Sequence, residues 1–185
     1  MNDITVGSVM QASGGAFGTS GARGEVGAMM YSVCYTYARG FLAYLQEIGE
    51  FTPGTDLAFA GDLRPSTPRS LSACARAIRD SGGEPVFCGH VPTPALALFA
   101  FSRGIPSLMV TERHIPADRN GIKFYRPRGE VLKSDEAGMC RQRVGLALAC
   151  SRKRGRSRSP RCCHRLPMSK KPMSIAMSGI LARVR

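Results

Sequence analysis

No stretch of this 185-residue chain holds the roughly eighteen consecutive apolar residues of a membrane-spanning helix. The opening residues also lack the charged start and apolar core of a signal peptide, so a cytoplasmic location and no membrane partner are expected. None of the seven cysteines (34, 74, 88, 140, 150, 162, 163) forms a C-x-x-C pair. In the cytoplasm reduced thiols are expected, with Cys34, Cys74 and Cys88 packing as small apolar residues. Cys162, Cys163 and His164 are adjacent rather than spaced to converge on one ion, so no metal ligands are assigned. Acid is missing altogether from residues 139–185, which hold 13 Lys and Arg, whereas residues 1–138 hold 13 of each sign. The net charge of +13 therefore belongs to the tail and says nothing about the partner of the rest.

These contrasts predict one domain over 1–138 and a basic, poorly structured low-complexity tail over 139–185. The tail runs through S-R-K-R-G-R-S-R-S-P-R-C-C-H-R without a pattern that could pack. Two readings follow: an arginine-serine tail that binds nucleic acid electrostatically, or a stretch translated out of frame. The abrupt change of character favours the second.

Apolar residues at spacings of three and four predict a helix over Val26–Ile48 (Met30, Val33, Cys34, Tyr37, Phe41, Tyr44, Leu45, Ile48), with Gly49 as its stop. Leu57–Ala60 reads as a short buried strand. A helix follows from about Pro68, its inner face made by Leu71, Cys74, Ala75 and Ile78, and Ser66 or Thr67 is the expected cap. Pro85–Cys88 is the next strand, and Ala95–Phe101 a helix ending at Gly104. Ser107–Val110 is a strand, and Ile122–Tyr125 another, expected antiparallel at an edge. Met1–Ala16 is weakly patterned, with a turn at Ser13-Gly14-Gly15. Strands alternating with helices imply a three-layer α/β/α sandwich with a mixed, mostly parallel sheet of about four strands.

Polar side chains concentrate at the strand exits, where α/β proteins place ligand chemistry. Thr111 to Lys123 offers a hydroxyl, an imidazole, an amide and an amine. In F-G-T-S-G-A-R-G, Phe17–Gly24, three glycines could crowd N–H groups onto an anion or simply make a plain loop. Asp62 and Arg64 are expected to brace their loop as an ion pair. His90 is expected to be hydrogen-bonded rather than a metal ligand.

F-G-T-S-G-A-R-G, G-D-L-R-P-S-T, G-H-V-P-T-P and T-E-R-H-I-P-A-D-R-N-G-I-K occur in the order found in the α-D-phosphohexomutases, the phosphoglucomutase and phosphomannomutase superfamily. The chain resembles the first of that family's four domains, and I-P-A-D-R-N-G-I-K-F-Y-R-P leans toward phosphomannomutase-like members. The resemblance implies interconversion of mannose 6-phosphate and mannose 1-phosphate through a phosphoserine. It also implies a hexose phosphate partner, Mg²⁺ and a hexose 1,6-bisphosphate activator. It places Ser20, Arg23, Thr111, Asn120 and Lys123 against substrate or phosphate, and His114 beside the phosphoryl carrier. At the carrier's own position stands Arg113, a permanent cation with no oxygen to phosphorylate, and Glu112 replaces the usual small residue before it. No D-x-D-x-D string, the family's Mg²⁺ loop, occurs in the sequence. The expectation is a truncated, phosphomannomutase-like domain inactive on its own, or else a non-catalytic phosphosugar or nucleic-acid binder.

Overall fold

Leu57–Ala60 carries no alternation: four apolar residues in a row, each at 2% exposure or less. Such a run suits a strand covered on both faces, and the computed structural model places it there. The model describes residues 4–18, 21–25, 27, 29, 31–111 and 119–145. All lie in the first of two units, Met1–Lys153 and Arg154–Arg185.

In chain order the elements are β1 (Ile4–Thr5), α1 (Val6–Ser13), β2 (Ala16–Phe17), β3 (Gly21–Glu25) and α2 (Tyr31–Glu47). There follow β4 (Asp56–Gly61), α3 (Thr67–Asp80), β5 (Glu84–Phe87), α4 (Thr93–Arg103), β6 (Ser107–Val110) and β7 (Arg119–Arg126). The last are β8 (Gly129–Glu130), α5 (Asp135–Cys140) and β9 (Arg143–Val144). The main sheet runs β2-β3-β7-β6-β4-β5, with β8 on the end of β7. β4 is parallel to β5 and β6, and the remaining pairs are antiparallel. The crossovers β4-α3-β5 and β5-α4-β6 step in opposite directions across the sheet. Right-handed connections then put α3 and α4 on opposite faces, which gives the expected α/β/α layers.

With seven strands the sheet is wider than expected, and β7 is not an edge strand, because β3 continues the sheet beyond it. Two of the three extra strands come from F-G-T-S-G-A-R-G and its flanks, which form a hairpin rather than a plain loop, Ala16 pairing with Arg23 and Phe17 with Ala22, and the third is β8. Gly21 makes the pairing with β7 possible, since a Cβ there would lie 2.1 Å from the Ile122 oxygen.

The helix expected from Val26 begins at Tyr31 and keeps its inner stripe: Val33, Cys34, Tyr37, Phe41 and Leu45 are at 5% exposure or less. Met30 of that stripe lies outside the described residues, and Ile48, beyond the helix end, is 37% exposed. Gly49, at φ 75°, closes α2 with Glu50 N–H on Leu45 O (2.8 Å). α1 was not expected. It is held by Val6 and Met10, and α2 admits it at Gly40, where a Cβ would meet Val6 Cγ2 at 2.4 Å.

The domain boundary expected at 138 also moves. β9 pairs with β1, and Met139 and Val144 are each 2% exposed, so the folded body runs through residue 144. Arg126 fastens this segment: its guanidinium grips both Glu50 oxygens (2.8 and 2.6 Å) and Asp135 Oδ1 (3.3 Å). Tyr44 O–H donates to the same Asp135 oxygen (2.5 Å), and Leu132 N–H to the other (2.8 Å). Cys34, Cys74 and Cys88 are buried free thiols, as expected.

Candidate functional site

The carboxyl ends of β4, β5 and β6 and the start of antiparallel β7 share one edge of the sheet. Backbone bonds stitch the exits together: Gly61 N–H to Gly89 O (3.3 Å), Asp62 N–H to Val110 O (3.1 Å) and Thr111 N–H to Gly121 O (3.1 Å). In the chain, residues 112–118 join Thr111 to β7. Arg113 and His114 fall within them, outside the described residues, as does Ser20.

Asp62 and Arg64 form the expected ion pair (3.4 Å). Asp62 Oδ1 also accepts from Arg64 N–H (3.1 Å) and the Thr67 hydroxyl (2.5 Å). Neither Ser66 nor Thr67 caps α3 through its side chain, contrary to expectation. Thr67 is drawn to the Asp62 carboxylate, and Ser66 Oγ accepts from Asn120 Nδ2 (2.9 Å). Asn120 Oδ1 in turn accepts from Gly121 N–H (2.8 Å). At 1% exposure, with both ends of its amide engaged, Asn120 is a brace between β7 and the start of α3. Thr111 is 3% exposed at the root of the loop.

Lys123 and Arg23 do come together. Ile122 and Phe124 point toward α2, where Phe124 lies 5.0 Å from Phe41, so Lys123 and Tyr125 point to the other face. Tyr125 there meets Phe101 of α4 edge-on at 6.1 Å. In the β3–β7 ladder Gly21 lies opposite Lys123 and Arg23 opposite Gly121. Paired residues share a face, so the two cations sit diagonally on one surface, roughly 7–8 Å apart at Cα, each facing a glycine. Among the described elements α4 packs on β4 and β6. The Arg23 side chain lies over Gly18, where a Cβ would stand 2.8 Å from Nε. A concavity of about 380 Å³ opens there, lined in part by Ser13, Gly18, Arg23 and Glu25.

At the neighbouring exit His90 Nδ1 lies 2.8 Å from Asp62 O and 3.2 Å from Gly61 O, the hydrogen bonding expected of it. Cys88, at the end of β5, is 2% exposed, and burial pushes its thiol up to about 11, so it is no thiolate nucleophile. The described residues contain no group of three or more His, Cys, Asp or Glu able to hold a metal ion. They do not fit the Mg²⁺ the resemblance implies. No helix among them is long and apolar enough to cross a membrane.

One sequence signal for the brace was available: Asn-Gly at 120–121 is a pair whose side chain readily bonds the next amide. Its partner Ser66, fifty-four residues away along the chain, was not.

Comparison with known proteins agrees with this geometry. Residues 14–144 match the family model described as phosphoglucomutase/phosphomannomutase, alpha/beta/alpha domain I. A phosphomannomutase of Salmonella muenchen is 47% identical over 128 residues, covering 69% of this chain and 26% of that protein. One of Sinorhizobium fredii is 46% identical over 123 residues, covering 66% and 26%. A solved phosphoglucomutase/phosphomannomutase family protein from Burkholderia thailandensis superposes with a TM-score of 0.58 at 26% identity, over 66% of this chain and 28% of that one. The chain thus spans about a quarter of the length of the relatives it matches. With a family-model match that takes in every strand of the main sheet, and relatives at nearly half identity, the chain belongs to the phosphoglucomutase/phosphomannomutase family through its alpha/beta/alpha domain I.

Proposed function

We propose that this chain is a phosphomannomutase-like domain that binds a hexose phosphate, of the mannose 6-phosphate and mannose 1-phosphate class, without turning it over by itself. The observation that carries the reading is the diagonal pair Arg23 and Lys123 on one sheet face, each opposite a glycine, beside the exit of β6. Two cations over a floor without side chains leave room for a phosphoryl group and supply charge-assisted hydrogen bonds to it. The likeness to two phosphomannomutases at 47% and 46% identity supports the choice of hexose.

Phosphoryl transfer depends on a carrier, on positioning and on neutralised charge. Arg113 at the carrier position cannot accept a phosphoryl group, because guanidinium nitrogens have no lone pair to offer while protonated. The chain as written also has no aspartate-rich loop. Calorimetric titration tests the binding half. Mannose 6-phosphate is expected to bind with an affinity that falls with salt and is lost in Lys123→Met with Arg23→Met. Equal binding of uncharged mannose would refute it. A coupled assay activated by glucose 1,6-bisphosphate tests the other half, and turnover above blank would refute inactivity.

A further inference from the structure

The phosphosugar reading leaves His90 unused. Its Nδ1 lies within hydrogen-bond distance of two backbone carbonyls, Asp62 O at 2.8 Å and Gly61 O at 3.2 Å. Carbonyl oxygens only accept, so Nδ1 must carry a hydrogen and donate it. In the neutral ring that leaves Nε2 as a bare lone pair, the less common of the two tautomers, imposed here by the main chain. The ring is fixed further by an edge-on contact with Phe87, centroids 6.1 Å apart. His90 is exposed, and no described residue bonds Nε2.

Its position also fits. Although His90 follows β5, its ring lies over the exit of β4, whose Asp62 N–H bonds Val110 O of β6 (3.1 Å). β7, which carries Lys123, is the next strand beyond β6, so the imidazole stands about two strand spacings, ~9.6 Å, from it. A fixed acceptor at that remove from the Lys123 ammonium is suited to the uncharged part of a hexose phosphate held there.

We propose that His90 is a sugar-contacting residue, whose Nε2 accepts a hydrogen bond from a hydroxyl of the hexose while Nδ1–H holds the exits of β4 and β5 together. This rests on the phosphosugar reading and adds a contact to it. The chemistry selects a hydroxyl donor rather than phosphate oxygen, because a lone pair repels an anion.

The test uses the full chain with two probes, mannose 6-phosphate and inorganic phosphate. His90→Asn keeps an N–H near the Nδ1 position and removes the Nε2 acceptor. The dissociation constant for mannose 6-phosphate is expected to rise about tenfold in this variant, while that for inorganic phosphate stays unchanged. In the wild type, nitrogen-15 spectra of the neutral ring are expected to show Nδ1 protonated, with the Nε2 resonance moved by mannose 6-phosphate and not by phosphate. Hexose phosphate binding that is unmoved by His90→Asn, or an Nε2 that carries the proton, overturns the role of His90 and leaves the phosphosugar reading standing. Failure of both probes to bind the wild type overturns that reading, and this inference with it.

Discussion

Gly21→Ala tests the platform on which the phosphosugar reading stands. An alanine inside a strand is ordinarily more favourable than glycine by roughly 0.5–1 kcal/mol, so the expected sign here is diagnostic. The new Cβ would stand 2.1 Å from Ile122 O, 2.9 Å from Ile122 C and 2.8 Å from Lys123 Cα, all backbone atoms of β7. No rotamer relieves such contacts, and β3 must move off β7 by roughly 1 Å. That is enough to take hydrogen bonds of about 2.9 Å outside bonding range. Overpacking of this kind costs about 3 kcal/mol, with a fall in melting temperature of about 10 °C for a body of this size. Because Arg23 and Lys123 are placed by the same ladder, the affinity for mannose 6-phosphate should fall together with stability. Thermal and urea unfolding followed by circular dichroism provide the measurement. Gly129→Ala provides the control: nothing lies within 4 Å of its Cβ, so a change within about 0.5 kcal/mol is expected. A Gly21→Ala variant that melts with the wild type and keeps its affinity would refute the close approach of β3 to β7.

The Asp135 carboxyl is held below its ordinary value: burial would raise it, but the Tyr44 hydroxyl, Leu132 N–H and Arg126 outweigh that and favour the charged form. A depressed folded-state value means stability that is full above the unfolded carboxylate range, about 3.9, and lost as pH falls below it. Asp135→Asn should therefore cost about 1–3 kcal/mol at neutral pH and flatten the acid limb of a urea-midpoint profile, and an unchanged limb would refute the linkage. Glu112→Gly with Arg113→Ser restores a hydroxyl at the carrier position, yet no turnover above blank is expected in the coupled assay, because the chain still lacks the aspartate-rich loop. If the basic tail binds nucleic acid, RNA retention should weaken steeply with salt and vanish on removing residues 146–185; retention that survives the deletion would assign it to the folded body.

What the sequence disclosed and what it concealed divide along physical lines. β4 and β6 were legible because central parallel strands read as unbroken apolar runs, and α2 and α3 because their buried faces repeat at helical spacing. The β2–β3 hairpin was not legible: F-G-T-S-G-A-R-G has neither alternation nor β-propensity, and its strands exist because β7 supplies hydrogen-bond partners. Missing it also misplaced β7 at an edge. α1 was hidden for a similar reason, since two apolar residues and a glycine on α2 hold it. The boundary at 138 followed a true change in charge, but Met139 and Val144 are too few to register in composition although both are buried. At the site, motif order pointed to residues without revealing the bonds they make. The bond that ties Asn120 to Ser66 joins residues far apart in the chain and leaves no local pattern.

The same distinction bears on Arg113. The bonds that form the strand-exit edge come from main-chain groups of Gly61, Asp62 and Thr111, from the Asp62 carboxylate and from Asn120, and the room for β3 comes from the missing Cβ at Gly21. The described bonds at this edge are thus made by groups other than those the resemblance assigns to phosphoryl transfer, so fold and chemistry are separable properties of the sequence.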